Sequence, residues 1–463
     1  MKAVMRMKLS FTAISMGALL SPLTVYADFL SDSKANLNLK NYYFSNDYRD
    51  GAAAPSKQEE WGQAFILDYI SGYTPGPVGF GLDAQAMLGV KLDSGGRTDK
   101  AGRSRQPGAF FPLDDDNSPV DNFGSSSVTA KARISKTELK YGMLQPQLPV
   151  VLSNSGRLLP QNYTGGQIVS KDIDRFTFVG GQLIEAKGRT ASGHTDLSVS
   201  GANSARSASG SSTAAPARFS DNFLYAGVDY SLSKSLSLQY YYGQLEDFYQ
   251  QHYLGLKHVW VTDNDHALTT DLRYYNSRSD GKNGTATGRA AGYTMKGYYG
   301  NNTGTTGDTR GEVDNQMFTA RLSYAIGAHS FGVGYQQLRG DSDFPWLDQG
   351  NGNGKYTFTS VLTTSFTSAE ERTRMVDYNY DFAGLGLPGL RLSLMYLYGD
   401  RIASFTGSKK EIERNSTIGY VVQSGPLKNV SVTWLNATYH TDMPSSRNAD
   451  HNRLIIAYNL PLF

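Results

Sequence analysis

Charged side chains recur at alternate positions along many of the apolar stretches of this chain. Taking the polar member of each alternation gives eleven basic residues: Lys40, Lys91, Lys131, Arg133, Lys140, Arg175, Lys257, Arg273, Arg321, Arg391 and Arg453. The same criterion gives six acidic residues: Asp68, Asp83, Glu138, Asp229, Asp271 and Asp377. Cations on a low-dielectric wall concentrate anions, because the wall focuses their field into the enclosed space. The pattern therefore indicates a polar surface that attracts anions.

The elements that carry these charges are predicted to be β-strands, because apolar and polar residues alternate with period two. In Phe80–Leu92 every even position is apolar, while the odd positions include Asp83, Gln85 and Lys91. Eighteen strands are predicted, at residues 37–44, 61–70, 78–92, 128–135, 138–144, 176–184, 194–200, 223–230, 236–243, 252–260, 267–275, 315–325, 331–338, 374–381, 390–398, 414–422, 430–440 and 453–460.

The lengths of the connections indicate how the strands are arranged. Connections after even-numbered strands are short, whereas those after odd-numbered strands are mostly long, as at 93–127, 145–175, 201–222, 276–314 and 339–373. This asymmetry is typical of an all-β transmembrane antiparallel barrel, with short periplasmic turns and long extracellular loops. An apolar content of 39%, with 30 Tyr and 21 Phe, fits a barrel with a wet interior and aromatic bands at the membrane surfaces.

The chain is predicted to consist of a secretory signal peptide at residues 1–27 and a single barrel at 28–463. Lys2, Arg6 and Lys8 precede the apolar run Leu9–Leu20, and Ala27 completes a cleavage site of small residues. The absence of cysteine fits passage through an oxidising periplasm. The final alternating strand ends on Phe463, which resembles the signal that the outer-membrane assembly machinery recognises.

Residues that could act as catalytic groups or metal ligands do not occur at a spacing typical of an active site. The seven histidines have neither HxxxH nor HExxH spacing, and no local motif pairs a strand serine with a strand histidine. The sequence therefore predicts no enzyme, no metal and no cofactor, with a barrel hydrolase left as an alternative. It also lacks the basic tail or aromatic–basic cluster of a nucleic-acid-binding protein. A structural or adhesion barrel is a further alternative, which inward glycines such as Gly79 and Gly227 disfavour by indicating an open interior.

Several multi-residue motifs resemble the OprD (Occ) family of substrate-specific outer-membrane channels. They are Val78–Ala84, Arg133–Gly142, Arg157–Gln161, Tyr240–Asp247, Asp343–Trp346 and Asp381–Leu390, in the family's order and within a match from about residue 33 to the C-terminus. The resemblance implies an eighteen-stranded barrel in the outer membrane, surrounded by lipid and lipopolysaccharide. It also implies that the third extracellular loop, here Leu144–Lys171, folds inward and narrows the pore.

The family resemblance further implies passive uptake of small carboxylate-bearing solutes along a row of basic lumen residues. We expect Lys40, Lys131, Arg133, Arg157, Arg273 and Arg321 to line this pathway and its constriction. The row is thinner than in relatives, because residues without positive charge stand where a basic residue is common: Asp68, Asp377, Met395, Thr433 and Leu435. A weakly selective general porin is therefore the alternative function.

Overall fold

The computed structural model describes residues 29–49, 56–96, 105–199, 218–263, 266–299, 309–347, 355–404, 406–444 and 446–463. The signal peptide predicted at residues 1–27 lies outside these ranges. None of the described helices is long and apolar enough to cross a membrane. Helical structure in the connections includes a five-residue helix, α1 (Ala286–Ala290), and 3₁₀ turns at Gly281–Gly284 and Phe382–Leu385.

Eighteen antiparallel strands form a closed barrel, as predicted. They are β1 (Lys34–Tyr48), β2 (Lys57–Ile70), β3 (Gly79–Ser94), β4 (Asn122–Ile134), β5 (Thr137–Leu144), β6 (Asn162–Ser170), β7 (Phe176–Lys187), β8 (Phe223–Ser231), β9 (Leu236–Leu245), β10 (Tyr249–Asp263), β11 (His266–Ser279), β12 (Asp314–Ile326), β13 (His329–Arg339), β14 (Arg372–Asp381), β15 (Leu390–Ile402), β16 (Lys409–Val421), β17 (Ser431–Thr441) and β18 (Ala449–Pro461). Each strand pairs with its neighbours in the chain, and β18 closes the barrel by pairing with β1.

One predicted strand is not a barrel strand, and one observed strand was not predicted, so the total is still eighteen. Residues 194–199 form isolated bridges rather than a barrel strand, while β6 lies inside the segment that was predicted to be a loop from Leu144 to Lys171. The glycines of β6 hid its alternation. A Cβ at Gly165 would collide with the carbonyl oxygen of Gln182 on β7, so this close approach of two backbones requires glycine. The third loop is consequently shorter, at residues 145–161.

The two faces of the barrel wall differ in polarity. Large apolar side chains stand exposed on the outer face, for example Phe80, Leu82 and Leu88 on β3. The intervening residues of the same strand, including Asp83 and Gln85, line the interior. Alternation along each strand therefore produces an apolar outer surface suited to the hydrocarbon of a membrane and a polar lumen.

The two rims of the barrel differ in the length of their connections. Connections at one rim, the short-turn rim, include residues 135–136, 171–175, 232–235 and 327–328. The other rim, the long-loop rim, carries the connections 95–121, 145–161, 188–222, 280–313 and 340–371. The third loop (145–161) and the seventh loop (340–371) have contacts with lumen-facing residues, which makes these two segments central to the site.

Candidate functional site

The third loop is bonded to opposite walls of the barrel. On one side, the Nζ of Lys40 on β1 donates hydrogen bonds to the carbonyl oxygens of Arg157 and Leu158, at 3.0 and 3.2 Å. On the other side, the hydroxyl of Tyr275 on β11 shares its one proton between the carbonyl oxygens of Pro149, at 3.3 Å, and of Tyr356, at 3.0 Å. Strands β1 and β11 lie almost opposite each other in a ring of eighteen. A loop bonded to both therefore crosses the lumen.

Apolar side chains reinforce these polar contacts of the third loop. Leu158 and Leu159 are fully buried in a cluster with Tyr42 and Phe44 of β1. Val150 packs in a second cluster against the aromatic wall, close to Gly243 on β9, where a Cβ would lie 2.9 Å from the Cβ of Val150. Burial of these side chains away from water favours the inward position of the loop.

The seventh loop is bonded to the same interior from further round the barrel. The carbonyl oxygen of Tyr356 accepts hydrogen bonds from Arg273 at 3.1 Å and from Tyr275 at 3.0 Å, both on β11. At its other end, the Glu413 carboxylate on β16 accepts from the backbone N–H groups of residues 362, 363 and 364. Arg453 on β18 donates to the carbonyl oxygen of Leu362 at 3.0 Å. The seventh loop thus also bridges separate parts of the wall.

Three of the six predicted pathway residues are paired with carboxylates of the wall. Lys131 lies 2.6 Å from Asp83, Arg273 lies 2.9 Å from Asp271, and Arg321 lies 2.7 Å from Asp377. Arg273 is also enclosed by aromatic rings, 4.2 Å from the centre of Tyr356 and 3.7 Å from that of Phe358. Because each cation is next to an opposite charge, the field of each pair falls off faster than that of a single charge.

The other three predicted residues have different surroundings. Lys40 is occupied by the loop carbonyls described above. Arg133 is exposed near the short-turn rim and stacks on Tyr73, with its Cζ 4.2 Å from the ring centre. Arg157 lies on the third loop, where its Cζ is 4.6 Å from the ring centre of Phe44.

Two further arginines converge with Arg157, and we call the three the arginine cluster. A Cβ at Gly156 would lie 3.5 Å from the Nη1 of Arg189 and 3.9 Å from the Nη1 of Arg453. Arg189 donates to the side chain of Asn154 at 3.2 Å, and the Nε of Arg453 donates to the Nε2 of His451 at 2.6 Å. The cluster thus joins the third loop, the connection after β7 and the wall strand β18.

Two members of the arginine cluster, Arg157 and Arg453, form no direct ion pair with a carboxylate of the described residues. Within the ranges that the structure describes, no carboxylate oxygen lies within 4.0 Å of a nitrogen of Arg157 or Arg453. Burial, followed by the charges of Arg453 and Arg189, lowers the pKa of Arg157 to about 9. Arg157 is therefore still a cation at neutral pH. The described residues contain no group of three or more side chains that could hold a metal ion.

Comparison with known proteins decides the family. Residues 27–462 match the model of a protein family that is described as outer membrane porin, OprD family. The chain belongs to the OprD family of outer-membrane porins. It is 33% identical to the porin-like protein GalP of Pseudomonas putida over 443 residues, covering 95% of each chain.

Solved structures of the OprD family have the same fold. OccK8 (OprE) of Pseudomonas aeruginosa is 46% identical, with a TM-score of 0.83 and coverage of 94% of this chain and 100% of that one. OpdK of the same organism, solved with vanillate, is 34% identical, with a TM-score of 0.78 and the same coverage. These relatives are porins, which are channels rather than enzymes.

Membership of the OprD family assigns the surroundings of each part of the barrel. The protein is a multi-pass barrel of the outer membrane, so its outer face contacts lipid and lipopolysaccharide. The long-loop rim faces the outside of the cell and the short-turn rim faces the periplasm. The third and seventh loops consequently cross the lumen from the extracellular side.

Sequence reasoning missed one member of the arginine cluster and underestimated another. Arg189 lies in a loop, where apolar and polar residues do not alternate, so the sequence pattern did not indicate that its side chain is part of the site. Arg453 has lumen parity on β18, but nothing local distinguished it from the other basic wall residues. Both were identifiable only through the path of the third loop, which places Gly156, the neighbour of Arg157, close to both side chains.

Proposed function

We propose that this OprD-family porin is a passive uptake channel for small water-soluble solutes that bear a carboxylate, and that the third and seventh loops form its constriction. Arg157 and Arg453 carry the proposal, because neither has an ion-pair partner among the described residues and Arg157 lies on a loop that crosses the lumen. Arg157 and Arg453 are the proposed carboxylate contacts. A guanidinium presents several N–H donors in a planar fork that matches the two oxygens of a carboxylate.

A relative supports this proposal, since OpdK was solved with vanillate, which is a carboxylate. The six residues predicted from the sequence then have unequal proposed roles. Lys40 holds the third loop in place, and Arg133 contributes positive charge at the periplasmic mouth. Lys131, Arg273 and Arg321 brace the wall through their carboxylate partners and add little to selectivity.

The pairing of those three residues also favours a second candidate function. If paired wall charges dominated permeation, the protein would be a weakly selective general porin that does not favour carboxylates. The two functions differ in what the arginine cluster does to ions that pass through the constriction.

Reversal potentials in asymmetric KCl distinguish the two functions. We expect the wild-type channel to prefer anions and Arg157→Gln to shift the reversal potential towards cations. Arg157→Lys should keep the ion preference and bind butyrate more weakly, because an ammonium lacks the planar fork.

The matched control is the double variant Arg321→Gln with Asp377→Asn, which removes one ion pair without changing the net charge. We expect its reversal potential to equal that of the wild type. A wild-type channel that prefers cations, or an Arg157→Gln channel that behaves as the wild type does, would contradict the carboxylate proposal and favour the general porin.

A further inference from the structure

Basic side chains collect on the outward face of the barrel wall, at the extracellular ends of β13, β14 and β16. They stand at alternate positions whose neighbours along the strand are buried towards the lumen, so they point away from the pore. Within the described strands β13–β16, Asp400 is the one acidic residue at an outward position. We call the basic residues of this face the basic patch: Arg339, Arg372, Arg374, Lys410 and Arg414.

The basic patch differs from the rest of the extracellular rim in its charge balance. Elsewhere on the rim, exposed basic residues are paired with carboxylates: Arg49 with Asp450, Lys57 with Glu59, Arg105 with Asp93 and Arg278 with Asp314. In the basic patch, Arg374 lies 2.8 Å from Asp400. No carboxylate oxygen of the described residues lies within 4.0 Å of a side-chain nitrogen of the other four. The patch therefore carries an excess of positive charge on the outer surface.

Two outward tyrosines show at which level of the membrane the basic patch lies. Tyr396 and Tyr398 on β15 stand between β14 and β16, with Arg374 opposite Tyr398 and Arg414 opposite Tyr396. The Cζ of Arg374 is 5.8 Å from the ring centre of Tyr398. On the periplasmic side of Arg374, the next outward residue of β14 is the exposed Val376. Because tyrosines collect at the boundary between hydrocarbon and headgroups, the basic patch lies among the headgroups of the outer leaflet.

Arg414 and Lys410 are the members of the patch with the most capacity for a ligand. Arg414 is exposed, and its Nη2 donates to the hydroxyl of Thr438 at 3.3 Å. A guanidinium has five N–H donors, so most of them stay available. The backbone N–H of Lys410 donates to Asp442 at 2.7 Å, while its exposed ammonium has no ion pair among the described residues. The two cations are four residues apart on β16, about 13 Å along the strand, so one extended anionic headgroup can contact both.

The partner that fits the basic patch is a phosphate-bearing lipid of the outer leaflet. In a Gram-negative outer membrane this leaflet contains lipopolysaccharide, whose lipid A headgroup is a phosphorylated disaccharide. Each Arg or Lys at an anionic membrane surface strengthens attachment to it, and a guanidinium can bind two oxygens of one phosphate. A second copy of the chain fits poorly, because a two-fold contact at this face would set two basic patches against each other.

We propose that the basic patch is a binding site for the lipid A phosphates of lipopolysaccharide, with Arg414 and Lys410 as the main contacts. Tyr396 and Tyr398 lie beneath the bound headgroup, where their rings meet its acyl chains. The site is on the outside of the barrel, so it does not depend on the solute preference of the pore.

The test measures lipid binding to the purified barrel in an uncharged detergent by native mass spectrometry. The probes are diphosphorylated lipid A, the same lipid without its phosphates, and phosphatidylglycerol. Each is titrated into the wild type, into the double variant Lys410→Gln with Arg414→Gln, and into the control Arg49→Gln with Arg278→Gln. The control removes the same number of exposed charges from the same rim, but from residues that are paired with carboxylates. A wild-type heat-dependent gel shift identifies the folded variants.

We expect the wild type to bind diphosphorylated lipid A more tightly than the other two lipids. The Lys410→Gln, Arg414→Gln variant should bind it about thirtyfold more weakly, as removal of two cations at an anionic membrane surface would, and the control should bind it as the wild type does. Unchanged affinity in the first variant, an equal loss in the control, or equal binding of the lipid without phosphates would overturn the site.

Two other occupants give different results in the same measurement. If phosphatidylglycerol binds the wild type as tightly as diphosphorylated lipid A, the patch is a general anionic-lipid surface and the assignment to lipopolysaccharide is wrong. Dimers that persist without lipid, and that are lost in the Lys410→Gln, Arg414→Gln variant, would overturn the proposal in favour of a contact with a second copy.

Discussion

The attachment of the seventh loop to the wall makes a sharp prediction about Glu413. Its side chain is fully buried on β16, and its carboxylate accepts three successive backbone N–H groups, from Leu362 and Thr363 at 3.3 Å and from Thr364 at 2.9 Å. The same turn is held from the other side by Arg453, which donates to Leu362. Replacing Glu413 by Ala removes all three acceptor contacts at once.

The size of the effect follows from these distances. A hydrogen bond to a charged acceptor contributes about 1.5–3 kcal/mol when it is short and less as it lengthens. Taking about 1.5 kcal/mol for the bond at 2.9 Å and about 0.7 kcal/mol for each bond at 3.3 Å gives about 3 kcal/mol. This corresponds to roughly a hundredfold change in the equilibrium between the docked and undocked loop.

Single-channel recording is the appropriate assay, because an undocked seventh loop no longer narrows the lumen. We expect Glu413→Ala to raise the mean conductance and the open-channel noise. Glu413→Gln keeps one carbonyl acceptor and should give an intermediate increase. Asp229→Asn serves as the control, since the hydrogen-bond partners of this wall carboxylate, Gln239 and Tyr241, lie on β9 and not on the described part of the seventh loop. Unchanged conductance in a Glu413→Ala barrel that shows the wild-type heat-dependent gel shift would refute this reasoning.

Two further predictions concern the same loops. Burial, followed by the charge of Glu411, raises the pKa of Glu371 well above its usual range. A carboxyl whose pKa is higher in the folded than in the unfolded protein stabilises the fold at pH values below its unfolded pKa of about 4.3, and this contribution is lost as the pH rises. Glu371→Gln should therefore melt at a higher temperature than the wild type in detergent at pH 8, with a difference that shrinks towards pH 4, and a gap independent of pH would contradict the assignment. Deleting residues 153–159 from the third loop should enlarge single-channel conductance, whereas unchanged conductance in a folded barrel would mean that another segment sets the constriction.

The sequence predicts the wall of this barrel better than its contents. Alternation identifies which side chains of a strand share a face, and it correctly places Lys131, Arg273 and Arg321 on the polar side. It fails where glycine interrupts the alternation, as at Gly165 on β6. There the backbone of β7 approaches too closely for any side chain, so the same physical requirement that builds the strand removes its signal.

Ion pairing in the lumen is only partly visible in the sequence. Asp271 and Arg273 are two residues apart on β11, so their side chains share a face and their pairing could have been expected. Arg321 and Asp377 pair across an intervening strand, and the space between them exists because β13 has glycine at position 332. That contact depends on strand order and register, which a single sequence does not provide.

The distribution of paired and unpaired charges explains why selectivity should reside in the loops. Lys131, Arg273 and Arg321 each have a carboxylate within 3 Å, so an ion in the wet lumen senses them mainly as dipoles. Salt screens what remains over about 8 Å at physiological ionic strength. Among the described residues, Arg157 and Arg453 of the arginine cluster have no such carboxylate, and Arg453 lies where the seventh loop is bonded to the wall. Solute preference can therefore change through the third and seventh loops while the paired charges keep the barrel wall intact.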